Sequence, residues 1–421
     1  MNRRRMLQAG AGFLTTGLAG CTGSDSAGES GTEARGSTER TSATATASGG
    51  EAPEGVYVQS FREDMYVVGA GGGRRGSETG TADGTSRKTD GANTTAGTSG
   101  ATVSAGTPSP SETASTNSAD GVGTAAMPVA GDYRFGLMYA APHVFWTVNG
   151  DERSKATIEE GDSLHLMSVV WDPETRTVLP DTGLSVEISR DGELVSEEVI
   201  YPMLSQRMGF HYGANFSLPG DGTYTARLSV GGTNVRRAGA FEGRFAEPAS
   251  VEVEFPFTEA TREQVSSPPA PNAGEPGAIA PMKMPALPTA RAPAPGDLPG
   301  TVRGTAESGD AKLVVTTLDA PPAGIEGEGQ YLAVSARTPY NGLVLPAMAL
   351  SGTLTGDDET TFEGALERTL DPALGYHYGA VIGSVESGDG LTLSVGTPPQ
   401  VARHKGYETA FLDMPDAELT L

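Results

Sequence analysis

The chain has 421 residues, with 53 acids against 29 bases for a formal net charge of -24, and a single cysteine. So large an acid surplus argues against a nucleic-acid partner, whose phosphates it would repel. With Cys21 as the only thiol, the rest of the chain can form no disulfide, thiolate zinc site, iron–sulfur cluster or cysteine nucleophile. Lysine occurs only at Lys88, Lys155, Lys283, Lys312 and Lys405, and this acid-rich, lysine-poor composition points to a halophilic archaeal host.

Residues 1–21 read as a targeting signal. NRRRML is a twin-arginine start, LQAGAGFLTTG a short apolar run, and LAGC a lipobox ending at Cys21. Cys21 is therefore the expected lipidation site, anchoring the protein to the outer face of the cell membrane. Residues 22–54 and 69–130 are Gly, Ser, Thr and Ala with little to bury, and read as a disordered tether and a low-complexity insertion. The insertion holds a glycosylation sequon at Asn93. It also holds GGGRRG at 71–76, a dinucleotide-type glycine pattern with no helix after it, which reads as linker.

Between these stretches, GVYVQSFREDMYVV (55–68) alternates and is rich in Val, Tyr and Phe, so it reads as the first strand of the domain that follows. Residues 131–260 are short β-branched and aromatic runs punctuated by Gly, Pro, Asn and Asp, the texture of an antiparallel sandwich. Residues 261–300 are Pro- and Ala-rich and read as a semi-rigid spacer, after which strand-and-turn texture resumes over 301–421. The fold expected is all-β: two immunoglobulin/cupredoxin-like antiparallel β-sandwich domains joined by a Pro-rich linker.

The two domains read as copies of one another. At an offset of 166 residues, VLPDTGLS (178–185) meets VLPAMALS (344–351), and HYGA (211–214) meets HYGA (377–380). After a one-residue deletion, LSVG (228–231) meets LSVG (393–396). Within the shared His-Tyr-Gly, glycine supplies backbone freedom and the tyrosine hydroxyl can pin a loop, so the motif can be a structural corner. The first copy adds Met203 and Met208 within eight residues of His211, and thioether with imidazole is a soft set suited to copper, while imidazole also serves iron. The second copy has no nearby methionine, so His377 reads as an echo of the site rather than a site.

These segments resemble the periplasmic iron-transport protein family, cupredoxin-like metal-binding β-sandwiches associated with iron uptake. GVYVQSFREDM (55–65) is similar to the family's opening Gly-Val-Tyr-Leu-Gln strand and its methionine. YPMLSQRMGFHYGANFSLPGDGTYTARL (201–228) is similar to its Met-Pro-Met…His-Tyr-Gly-Ala-Asn segment. The resemblance spans residues 55–68 and 131–257 and implies a Fe2+ or Cu2+ ion held by His211, by Met203 or Met208, and by Met65. It implies an iron permease as partner. The family's early His-x-Glu pair has no counterpart in GDYRFGLMYA (131–140), and its later histidine is missing too. His143 and His165 can substitute, but local reading makes His143 a strand cap near Trp146 and lets His165 alternate outward. His404 and Met414 read as edge-strand residues of the second domain.

The chain holds no nucleophile elbow, no His-Glu-x-x-His and no phosphate loop on a strand–helix turn. A non-enzymatic binding protein is expected, with a purely structural pair of domains on a stalk as the alternative.

Overall fold

The computed structural model describes residues 55–68, 127–357 and 359–421. The signal with Cys21, both low-complexity stretches, Asn93 and the GGGRRG pattern lie outside them.

The β-branched and aromatic runs form strands, as their composition dictates. In the first half, one sheet runs through Tyr66–Val67, Tyr133–Ala140, Leu164–Trp171, Gly209–Phe216 and Tyr201–Ser205, then through Ala402–Arg403 to Phe145–Asn149 and Glu152–Ala156. The facing sheet is Ala249–Phe257, Gly222–Val230, Ser185–Arg190 and Glu193–Val199. Gly222–Val230 buries alternate residues, as expected of a strand with one face on the core. Leu164–Trp171 differs: all eight of its residues are buried, because it is covered on both faces. The core is aromatic, with Phe135, Tyr139, Trp171, Phe210 and Tyr224 almost wholly enclosed, each burial contributing about 1.5–3 kcal/mol.

The second half repeats this plan in register. Met167 pairs with Gly213 and, 166 residues on, Ala333 pairs with Gly379; Met203 pairs with His211, and Thr369 with His377. One path is continuous in the second half and broken in the first. Glu359–Asp371 pairs with Ala349–Gly356 at one end and with Gly375–Ile382 at the other. Its counterpart is split into Glu193–Val199 and Tyr201–Ser205.

The halves also exchange strands. Ala402–Arg403 lies parallel to Tyr201–Ser205 in the first-half sheet, pairing Ala402 with Met203 and Arg403 with Leu204. Reciprocally, Arg236–Arg237 lies parallel to Glu359–Asp371, pairing Arg236 with Thr369 and Arg237 with Leu370. Both exchanged loops are built alike. Arg237 donates to the carbonyls of Thr233 and Val235, and Arg403 to those of Pro399 and Val401. Phe245 and Phe411 both take positive φ, 58° and 60°. One hydrophobic cluster runs through both halves.

Two expectations about the connecting segments need correction. Residues 261–300 are not a free spacer: Arg62 and Asp64 donate backbone N–H groups to the carbonyls of Pro268 and Ser266, Val58 to that of Glu275, and Val344 to that of Ala290. Proline lacks an N–H but keeps its carbonyl, so this segment can accept hydrogen bonds along one edge. The 55–68 stretch spends most of its length against this segment, and only Tyr66–Val67 joins the sheet, against Met138 and Tyr139.

Candidate metal centre

Gly209 takes φ +70°, which glycine tolerates, and turns the chain into the strand Gly209–Phe216. Its carbonyl accepts the Nδ1–H of His211 at 3.0 Å. That bond fixes the tautomer and leaves the Nε2 lone pair free; the atom is buried with no hydrogen-bond partner. Met203 stands directly across the ladder from His211. Cross-strand neighbours on one face lie within side-chain contact.

His165 sits across the other ladder, opposite Asn215. Asn215 donates its Nδ2 to the His143 carbonyl at 3.1 Å, so its Oδ1 is the acceptor facing His165 Nδ1 at 2.8 Å. His165 therefore also presents an Nε2 lone pair, buried and unpartnered. His143, half-buried in the loop before Phe145–Asn149, donates Nδ1–H to the Ala141 carbonyl at 3.0 Å. Its Nε2 lies 3.1 Å from His404 Nδ1, and with that lone pair facing it, His404 must be the donor. His404 Nε2 is left 3.2 Å from the Met203 sulfur.

His404 arrives from the far end of the chain. The exchanged strand Ala402–Arg403 delivers it, its N–H bonds the Leu204 carbonyl, and the buried Arg403 guanidinium ties the loop through the carbonyls of Pro399, Val401 and Ala410. The ring centroids of His143 and His165 lie 3.9 Å apart, and those of His211 and His404 5.1 Å. The ligating nitrogens of His143, His165 and His404 all fall within 4.8 Å of one another. Gly213 lets this happen: a Cβ there would come within 2.7 Å of His165 Nε2 and 2.9 Å of the Met203 sulfur.

Burial dominates the electrostatics. It pushes His211 down to about 4 and holds His165 and His404 well below the usual imidazole range, with neighbouring imidazoles adding to the shift at His404. His143 is also lowered by burial, opposed by the nearby Glu63 carboxylate. At neutral pH the centre thus presents uncharged nitrogens, the form that binds metal. A cleft of about 260 Å3, lined by Phe61, Glu63, Ile158, His143, His404 and Lys405, opens onto it.

Of the residues singled out from the sequence, His211 and Met203 stand at this centre. Met203 packs apart from the main core, with Phe145 and Ala402. Met208 and Met65 do not join it. Met208 follows the hairpin turn into the main core, its N–H on Ser205 Oγ, and Met65 packs against the same core. His377 is buried, Tyr331 OH, 2.9 Å away, occupies its Nε2, and its Nδ1 faces the Gly375 carbonyl. The sequence offered His143 and His165 only as substitutes for the missing family ligands, and it did not offer His404 at all. His143 is no strand cap, His165 points inward from a doubly covered strand, and His404 belongs to the first-half site rather than to an edge of the second. The available signal was the repeat itself: past LSVG, where the offset is 165, it returns to 166 and pairs VRR (235–237) with VAR (401–403), which marks the loop ending at His404 as the counterpart of a first-half loop.

The tyrosine of the motif answers to structure in both copies. Tyr212 OH accepts the Thr182 N–H at 2.9 Å, and Tyr378 OH the Met348 N–H at 3.1 Å. His-Tyr-Gly is a corner built twice, and it faces a cluster of imidazoles once.

Fold and site together define a duplicated, strand-exchanged β-sandwich protein with one buried His/Met centre. The chain belongs to the family described as Domain of unknown function (DUF7350), whose model matches residues 139–254 and 296–420. No curated protein matches it. Among solved structures it is similar to a copper-bound variant of FetP from uropathogenic Escherichia coli strain F11, at 18% identity and TM-score 0.24, over 32% of this chain and 95% of that one. It is also similar to a copper-bound variant of P19 from Campylobacter jejuni, at 16% identity and TM-score 0.24, over 32% of this chain and 96% of that one.

Proposed function

We propose that this protein binds one copper or iron ion at the centre formed by His143, His165, His211, His404 and Met203. Anchored through lipid at Cys21 on the outer face of the membrane, it would support uptake of that metal, handing it to an iron permease. The role is binding rather than catalysis. The observation that carries the reading is the buried, unpartnered Nε2 of His165 converging with the Met203 sulfur at Gly213, with the Nε2 of His211 buried and unpartnered as well and its ring centroid 5.1 Å from that of His404. Burying an acceptor without a partner costs about 1–3 kcal/mol, and a bound cation would offset that cost at both atoms. The thioether in the set favours copper over iron.

Titrating the full chain with Cu+, Cu2+ and anaerobic Fe2+ at high salt tests this. One ion per chain should bind, be lost in His165→Ala and His404→Ala, and be retained in His377→Ala. No saturable binding, or binding that survives both losses, would end the proposal. The competing reading, a structural pair of domains in which His-Tyr-Gly is only a corner, is favoured by the shared Tyr212 and Tyr378 contacts. It requires that His211→Ala lower stability and leave metal binding unchanged.

A further inference from the structure

The 166-residue equivalence maps three of the proposed ligands onto second-half residues, His211 onto His377, Met203 onto Thr369 and His165 onto Tyr331, and the gap at Gly213 onto Gly379. The exchanged strands map as well. Ala402, which lies beside Met203, corresponds to Arg236, which lies beside Thr369. Where the first half has a small apolar residue, the second has the longest cationic side chain.

The guanidinium of Arg236 reaches into this counterpart. Nε donates to Thr369 Oγ1 at 3.1 Å, Nη2 to Tyr331 OH at 3.0 Å and to the Gly379 carbonyl at 2.9 Å, and Nη1 meets Glu367 Oε2 at 2.8 Å. The acceptors are of the right kind. A methionine sulfur and two imidazole nitrogens are soft lone-pair donors for a metal, whereas a hydroxyl, a phenol oxygen and a carbonyl suit a planar fork of N–H groups. The contacts also continue to the histidine. Arg236 donates to the Tyr331 oxygen, and Tyr331 O–H donates to His377 Nε2. The Nδ1–H of His377 then donates to the Gly375 carbonyl. Both ring nitrogens of His377 are thereby engaged, and each oxygen facing the guanidinium already holds an N–H.

We infer that Arg236 is a built-in cation: in the second half its guanidinium takes the place that the first half keeps for a metal ion. Duplication made two equivalent positions, each at a strand exchanged between halves. One stays open to an external ion, and the other is permanently filled from the protein's own chain. The metal stoichiometry is accordingly one, not two. The equivalence to a metal position, with its stoichiometry, rests on the metal-binding proposal; the filling of the second-half position by Arg236 rests on the repeat register and the Arg236 contacts alone.

Deleting the guanidinium with Arg236→Ala leaves a hole shaped for it. The variant should melt at lower temperature than the parent, and millimolar methylguanidinium should return most of the loss, because a ligand that binds only the folded state stabilises it. Equal concentrations of sodium or trimethylammonium should not. Arg236→Lys should also melt lower than the parent, since an ammonium cannot span the same acceptors. An Arg236→Ala variant as stable as the parent, or one insensitive to methylguanidinium, would overturn the inference. So would two ions bound to the parent chain, or one ion still bound after His165→Ala, and neither of these depends on Arg236 variants folding. If the parent binds no ion while the methylguanidinium rescue holds, the metal proposal fails and the built-in cation stands.

Discussion

Gly213→Ala is the sharpest steric probe of the centre. A Cβ at this position would lie 2.7 Å from His165 Nε2 and 2.9 Å from the Met203 sulfur, both well inside ordinary contact. The methyl group would therefore wedge apart two of the proposed ligands. His165 cannot swing away freely, because Asn215 holds its Nδ1 and its strand is buried on both faces. Overpacking of this size costs about 1–3 kcal/mol of stability. A ligand displaced from its geometry should lose more in binding than in folding, roughly 10- to 100-fold in metal affinity. Chelator competition for copper and a thermal melt on the same preparation read both numbers. An affinity within about threefold of the parent's, with the melt shifted as expected, would refute the claim that His165 and Met203 converge on one ion.

The other predictions concern protons, the exchanged loop and the choice of metal. Burial lowers His211 from 6.5 to about 4, so between those values the unfolded chain takes up a proton that the folded chain refuses. Metal-free stability should be level above pH 6.5 and fall as the pH drops toward 4, by up to about 3 kcal/mol from His211 alone; stability that rises on acidification in urea titrations would contradict the buried, neutral cluster. Arg403→Met removes a guanidinium bonded to the carbonyls of Pro399, Val401 and Ala410, one residue before His404. It should cost about 1–3 kcal/mol of stability and weaken metal binding, whereas Arg237→Met in the equivalent loop should leave binding unchanged. Met203→Leu keeps the volume and removes the sulfur, so Cu+ affinity should fall by roughly tenfold or more while affinity for Ni2+, which prefers nitrogen, stays within a few-fold.

Much of this was legible in the sequence, and the parts that were not share one physical cause. The β texture and the pairing of Met203 with His211 are local properties, carried by residues a few places apart, and the 166-residue offset shows directly when the chain is set against itself. The choice between Met203 and Met208 needed the hairpin itself, since only the structure shows that the turn sends Met208 into the main core. His165 misled because alternation assumes one wet face, and Leu164–Trp171 has none. His143 and His404 meet across 261 residues, through a strand that leaves its own half to pair with the other. No periodicity encodes such an exchange; only the reciprocal match of residues 235–237 with 401–403 hints at it. The Pro-rich segment misled for a related reason: its composition matches that of a spacer, yet its carbonyls accept hydrogen bonds from the 55–68 stretch.

X-ray absorption at the copper edge of the Cu+-loaded full chain tests the central claim most directly. A shell of imidazole nitrogens with one sulfur, the sulfur lost in Met203→Leu and the bound copper itself lost in His404→Ala, is the result the convergence of both halves on one ion predicts. A shell without sulfur that is unchanged by His404→Ala would contradict it.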